Sequence, residues 1–207
     1  MNNNISEETI EAERIAKKLS RAGVCSRREA ERWISEGRVQ VNNITIDTPA
    51  IKVSEKDEIL VDNIPIPKPS ITKIWRFHKP KGCLVTEHDP KGRQTIFDIL
   101  PKSLPRVMAI GRLDYDSEGL LLLTNNGETS RKLELPSTGW LRKYKVRVHG
   151  FVNPQDLEKL KNGIKLKDFK TGSIDANLEI QRGANAWVLI GIREGKNREV
   201  RRVMDFL

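Results

Sequence analysis

Three carboxylates, two glycines and an arginine stand within nine residues at Gly111-Arg112-Leu113-Asp114-Tyr115-Asp116-Ser117-Glu118-Gly119. The apolar run Leu120-Leu121-Leu122-Leu123-Thr124 follows at once. Such a run reads as a buried strand, so the residues before it belong to a strand edge or a loop. Acidic turns are usually solvated and chemically idle. This one lies in the basic half of the chain, beside Arg112, and abuts the most hydrophobic segment. Asp114 is therefore expected at the boundary of a core, where an ionised carboxylate needs a cationic partner. A carboxylate held that way can act as a nucleophile or a base. Paired with Asp116 it could also serve acid–base hydrolysis of a glycosidic bond, for which carboxyl separations of roughly 5–10 Å are needed. Nothing else in the chain suggests a sugar pocket.

The whole chain narrows the choice. It has 207 residues, room for one large or two small domains, with 37 Lys and Arg against 28 Asp and Glu. The excess is uneven: residues 1–70 hold 11 basic and 12 acidic side chains, and residues 71–207 hold 26 and 16. A basic half points to a polyanion such as nucleic acid. The two cysteines, Cys25 and Cys83, are far apart and the chain has three histidines, so neither a zinc pattern nor a disulfide framework is expected. The polar, acidic start is unlike a signal peptide, and no apolar run reaches the roughly 18 residues of a membrane helix. These features predict a soluble, cytoplasmic protein with no membrane partner.

The positioning elements come next. Ile10, Ile15 and Leu19 recur at helical spacing, which predicts a helix over 9–22 stopped by Gly23. Ser26-Arg27-Arg28-Glu29 reads as a capping box opening a second helix that Gly37 ends. Val39–Val41, Asn42-Asn43 and Ile44–Ile46 read as a tight hairpin. Pro65, Pro67 and Pro69 read as a stiff linker closing a first domain (9–70) near Ser70. In the second (71–207), strands are expected at 74–77 and 83–86, a short helix at 96–100, and a helix from 128 to 135. Arg142 to His149 alternates as a sheet strand should. Asn153-Pro154 starts a helix that Gly163 closes, segments near Ile174, 178–180 and 186–192 complete the sheet, and Asn197 caps a last helix with Val200, Val203 and Met204 inward. The expected fold class is α+β: a helical-plus-hairpin domain, then a mixed, mainly antiparallel sheet flanked by helices.

Gly-Arg-Leu-Asp, an acidic link and Gly-Leu-Leu-Leu-Leu-Thr-Asn-Asn-Gly resemble the signature of the pseudouridine synthases of bacterial ribosomal RNA, in the group of small-subunit synthase A and large-subunit synthase B. The matching catalytic aspartate is Asp114. Leu19 to Ala30, with Gly37, Val39, Val41 and Asp57-Glu58-Ile59, resembles an S-four-type RNA-binding domain. His78-Lys79-Pro80-Lys81-Gly82 is similar to the Lys-Pro-x-Gly element that opens the synthase domain, and Glu194 to Met204 to its closing motif. Glu199 stands where the family usually has Gln, and Arg142 where it has Lys. The chain ends where relatives continue through further strands.

What the resemblance implies is isomerisation of uridine to pseudouridine in ribosomal RNA, with the large-subunit branch favoured by the loop Asp89–Thr95. Asp114 would be the catalytic carboxylate, Arg201 its cationic partner, and Tyr144 the ring stacking on uracil. On residues alone, Tyr144 reads as an ordinary cross-strand aromatic. The expected RNA contacts are Lys18, Arg21, Arg27 and Arg28 in the first domain, and Lys79, Lys81, Arg93, Arg112, Arg142, Arg198 and Arg202 in the second. No cofactor and no metal are called for, and the partner is structured ribosomal RNA met by a monomer. The competing reading is a non-catalytic RNA-binding or ribosome-assembly factor.

Overall fold

The computed structural model describes residues 12–207. The chain forms two compact units, Met1–Ser130 and Arg131–Leu207. The first runs β1 (Glu13–Arg14), α1 (Ile15–Arg21), α2 (Arg27–Ser35), β2 (Val39–Val41), β3 (Ile44–Thr45), β4 (Lys52–Val53), β5 (Ile59–Val61), β6 (Ile64–Pro65), β7 (Ile74–Lys79), α3 (Ile96–Ile99), β8 (Met108–Ile110) and β9 (Gly119–Thr124). Helix α4 (Gly127–Glu134) crosses the division. The second unit continues with β10 (Arg142–His149), α5 (Pro154–Lys159), β11 (Asp175–Arg182), β12 (Asn185–Ile192) and α6 (Glu199–Phe206). Among the described residues all strand pairs are antiparallel, and helices pack on the sheets, the α+β architecture expected.

In the first part of unit one, α1 and α2 bury Ile15, Leu19, Ala30 and Ile34 against Val39, Val53 and Ile59 of the small sheets. Helix α1 starts later than the apolar spacing suggested. Glu13 and Arg14 pair with Val53 and Lys52 as strand instead, and the expected start of the helix at 9–11 lies outside the described residues. The Ser26 hydroxyl accepts from the Glu29 N–H at 3.1 Å, capping α2. Asn42 and Asn43 sit at φ 50° and 66°, the left-handed pair that a two-residue hairpin needs. Asp62 and Asn63, at 51° and 64°, make a second such hairpin that sequence reading did not identify. Pro65 belongs to its edge strand rather than to a linker.

A separate cluster gathers Cys83, Ile96, Val107, Leu121 and Leu123 under the sheet β7-β9-β8. Two expectations fail here. The leucine run is not buried throughout, because a strand turns alternate side chains to opposite faces: Leu121 and Leu123 are inside and Leu120 is 66% exposed. Cys83 to Thr86 is not a strand; only Leu84 bridges, to Thr95. Thr95 and Asp98 form the capping box of α3.

Unit two is the three-stranded sheet β10-β12-β11, with Leu157, Leu160, Val188, Ile190 and Val203 in its core. Gly163, at φ 68°, follows the end of the α5 segment. A Cβ there would lie 2.4 Å from the Thr171 carbonyl oxygen, so only glycine lets the two backbones meet. Among the described residues no helix is long and apolar enough to cross a membrane.

Candidate active site and RNA interface

The acidic segment that opens β9 is a loop, from Gly111 at φ 75° to Gly119 at φ 126°, joining β8 to β9. Register explains what holds it. The last residue of β7, Lys79, pairs with Gly119, just where the loop enters β9. Trp75, Phe77 and Lys79 share the inward face of β7, and Lys79 has no exposed surface at all. Its Nζ donates to the carbonyl oxygens of Ser117 at 2.9 Å, Pro80 at 3.0 Å and Asp114 at 3.1 Å, with Tyr115 at 3.5 Å. Three N–H donors thus meet three close acceptors. The Ser117 N–H closes a turn onto the Asp114 carbonyl at 3.0 Å, and the Gly82 N–H donates to the Tyr115 carbonyl at 2.9 Å. Through Lys79 the Lys79-Pro80-Lys81-Gly82 turn is therefore a clamp on the Asp114 loop, and Lys79 itself grips no phosphate. Sequence reading placed Lys79 among the RNA contacts; burial corrects that. Alternation from Trp75 and Phe77 was the signal that pointed Lys79 inward.

Around the loop, Asp114 is half-buried, and Arg112 and Lys81 are exposed. The Lys81 ammonium lies 3.7 Å from Glu118. Arg93 donates from Nε and Nη2, one edge of its guanidinium, to both oxygens of Asp89 at 3.0 and 2.8 Å, which holds the Asp89 carboxyl well below the usual carboxylate range. The Asp89–Thr95 loop is thus a turn pinned by its own ion pair.

The four cations expected to meet RNA in the first part divide in two. Arg27 and Arg28, at the exposed start of α2, face solvent. Lys18 is nearly buried, its ammonium 2.6 Å from Glu55, and Arg21 reaches the same carboxylate at 2.5 Å and Glu13 at 3.3 Å. The Lys18 hydrogen bond is the main reason Glu55 titrates below its ordinary value. These two side chains are engaged where the sequence suggested free phosphate contacts. Beside them runs a cleft of about 390 Å³ lined by Arg14, Lys17, Arg21, Arg27 and Lys52, with Glu13, Glu31 and Glu128. Lys17 closes one wall on Glu128 at 2.5 Å, a bond that raises the lysine and lowers the glutamate.

In unit two, Tyr144 lies on the inward face of β10 and packs in the same cluster as Val200 and Met204 of α6, the helix that carries Arg201. Both side chains are half-buried. Asp114, by contrast, belongs to unit one. Arg142 donates to the carbonyls of Trp140 and Arg193 at 3.4 Å each. Arg202 pairs with Asp168 at 2.8 Å and stacks 4.5 Å from the Phe169 ring, so its guanidinium is held within the unit. Arg198 is exposed and occupies the left-handed position, φ 49°, before α6; Asn197 is not the cap. The N-cap position is Arg198, without a side-chain cap bond, and the first helical residue, Glu199, accepts through Oε2 from the Lys196 N–H at 2.9 Å. Glu199 is 2% exposed, and burial beside Glu194 pushes its carboxyl up to about 7. Burial also works against ionised Glu194, but bonds from Glu199, the Gly172 N–H and Lys196 outweigh it and leave Glu194 low.

Comparison with known proteins places the chain in a family. Residues 73–206 match the sequence model of the RNA pseudouridylate synthases, and residues 13–59 that of the S4 domain. An uncharacterised RNA pseudouridine synthase of Rickettsia felis is 43% identical, over 94% of this chain and 84% of the relative. The ribosomal large subunit pseudouridine synthase B of Pasteurella multocida is 39% identical over 95% of this chain, which spans only 59% of that protein. A crystal structure of a pseudouridylate synthase superposes with a TM-score of 0.60 at 26% identity, covering 93% of this chain and 82% of that one. The chain belongs to the RNA pseudouridine synthase family, with an S4 RNA-binding domain ahead of its synthase region.

Proposed function

We propose that this enzyme isomerises uridine to pseudouridine in large-subunit ribosomal RNA, with Asp114 as its catalytic carboxylate. The observation that carries the reading is the Asp114 loop, whose backbone is fixed from below by the fully buried Lys79. A reacting group held on a rigid backbone needs no reorganisation at the moment of reaction. The name of the Pasteurella relative supports the choice of large-subunit RNA. Residues 9–70 form the RNA-binding domain in this reading, and 71–207 the synthase domain.

The chemistry is internally balanced. The bond from uracil nitrogen to ribose breaks, the base turns over, and a carbon–carbon bond forms from ring carbon 5 to the same ribose carbon. The hydrogen on carbon 5 leaves as a proton, and the ring nitrogen freed from the ribose takes up a proton, so the product is an isomer of the substrate. Nothing is oxidised, so the reaction calls for no cofactor. A paired base has to be flipped out of its stack to be reached. Asp114 enters the reaction ionised, whether it attacks the ribose or removes a proton from it. In this reading Arg201 is the cationic partner that the family pattern assigns to the catalytic aspartate, and the Tyr144 ring stacks on the flipped uracil. Arg27 and Arg28, with Arg112, Lys81 and Arg198, meet phosphates, and the protein works as a cytoplasmic monomer.

Pseudouridine mapping of ribosomal RNA from cells with and without the protein tests the substrate. One large-subunit site should vanish without it. A lost site in small-subunit RNA, or none, would overturn the assignment. Arg201→Ala should slow turnover at saturating RNA, and Tyr144→Phe should retain base stacking; full activity of Arg201→Ala would remove that residue from the site.

A further inference from the structure

Strand β10 has two unlike faces. Tyr144, Val146 and Val148 turn toward the core, and Lys143, Lys145, Arg147 and His149 are all exposed on the other side. Three of these four outward positions carry Lys or Arg, in a chain where such residues are 37 of 207, so the column is not average composition. Register sets an apolar strip beside it: Leu189 faces Lys145, Trp187 faces Arg147, and Ile180 of β11 faces Trp187. Leu189 is 42% exposed and Ile180 38%. The Lys145 ammonium lies 5.4 Å from the Trp187 ring centroid and 2.6 Å from Glu179. Besides Glu179, the carboxylate at this face is Asp175, at the far end of β11 opposite Gly191.

We propose that this outward face of the β10-β12-β11 sheet is a second RNA-docking surface, which holds a single-stranded segment flanking the target. The inference rests on RNA being the substrate but not on Asp114 as catalyst. Single strands are bound by apolar or aromatic floors under the bases and cations along the backbone. Outward residues of a strand recur every ~6.8 Å, twice the rise per residue, so Lys143, Lys145 and Arg147 line up as a row rather than as one point charge. Trp187 and its apolar neighbours supply the floor. Bound RNA draws Lys145 from Glu179 to a phosphate. A row of two exposed lysines and an arginine bordering exposed leucine and isoleucine suits a single-stranded polyanion with apolar base faces better than an acidic protein surface. None of these side chains points toward the face that carries Tyr144.

The test uses the full chain and a uridine 12-mer as probe, with binding followed by anisotropy across a salt series. Lys143→Ala/Lys145→Ala/Arg147→Ala should weaken binding at least tenfold and reduce the slope of log K against log salt by about 2, roughly 0.7 for each lost phosphate contact. Trp187→Leu should weaken binding with little change of slope. Turnover of large-subunit RNA at saturating triple variant should match wild type while the half-saturating concentration rises. Unchanged affinity and slope for the 12-mer overturn the proposal, and so does a loss confined to an acidic partner protein. An inactive Asp114→Asn protein that binds the 12-mer normally leaves it standing, which separates this proposal from the catalytic one.

Discussion

Lys18 and Lys79 are both lysines removed almost wholly from water, and the chain uses them in opposite ways. Lys18 lies on α1 against Glu55, a carboxylate 64% exposed that Arg21 shares. Lys79 ends β7 with no surface, and its partners are backbone carbonyls. In the first region a covered ammonium meets a carboxylate that stays largely in water, where salt screens it and Arg21 remains as a second partner if Lys18 is lost. In the second a charge is turned into three fixed hydrogen bonds that set the shape of a loop. A buried ammonium without a counter-charge is costly unless every donor is met, and here every donor is. The difference teaches where rigidity is needed: the RNA-facing part tolerates exchangeable partners, and the Asp114 loop does not.

The largest effect expected from breaking this contrast is at Lys79. Lys79→Met keeps the stem but removes from the interior the one ammonium that three carbonyls of the loop and its turn share, so chemical denaturation should show a loss of about 3–5 kcal/mol. Lys18→Met, judged the same way, should cost less than about 1 kcal/mol. Equal losses would erase the comparison. Next comes Gly163→Ala. A left-handed φ and a Cβ within 2.4 Å of a carbonyl oxygen should lower stability by about 2 kcal/mol or more, read as a lower Tm. It extends the comparison to the other unit, where close backbone approach takes the place of a clamp.

A pH effect sharpens it further. Glu199 has a folded value near 7, raised from the ordinary 4.5 by burial. A raised carboxyl binds more protons when folded, so its contribution is present at low pH and is lost as pH rises from 4.5 through about 7. Glu199→Gln removes that titration, and its Tm should fall less than wild type's between pH 6 and 8. Parallel Tm curves would show that Glu199 stays ionised across that range. The smallest effect belongs to the surface pair Lys17–Glu128, where Glu128→Gln should change stability by less than about 1 kcal/mol, and less still in high salt.

Much of this was legible in the residues, for reasons that differ by element. Strand β10 was clear because alternation survives where one face is buried and one is wet. The Asn42-Asn43 hairpin was clear because asparagine tolerates the left-handed pair. Its twin at Asp62-Asn63 was missed, because Pro65 close behind reads as a linker until it is seen on an edge strand. The leucine run misled because four identical apolar residues carry no periodicity. Burial of Lys79 was readable from Trp75 and Phe77, but a lysine in a basic half invites the reading of a phosphate contact. The engaged states of Lys18, Arg93 and Arg202 depend on carboxylates such as Glu55, Asp89 and Asp168, and pairing of that kind is set by the packed surface, not by composition.

Asp114→Asn tests the central claim most directly. The two side chains are nearly isosteric, and the Lys79 clamp holds the backbone carbonyl of residue 114 rather than its side chain, so Tm and RNA affinity should match wild type. Tritium release from ribosomal RNA labelled at uracil carbon 5, in a single turnover at saturating enzyme, should fall by at least 10³-fold, since an amide supplies no negative charge. Release at the wild-type rate by a folded, RNA-bound Asp114→Asn protein would contradict the account and leave the clamped loop without its catalytic role.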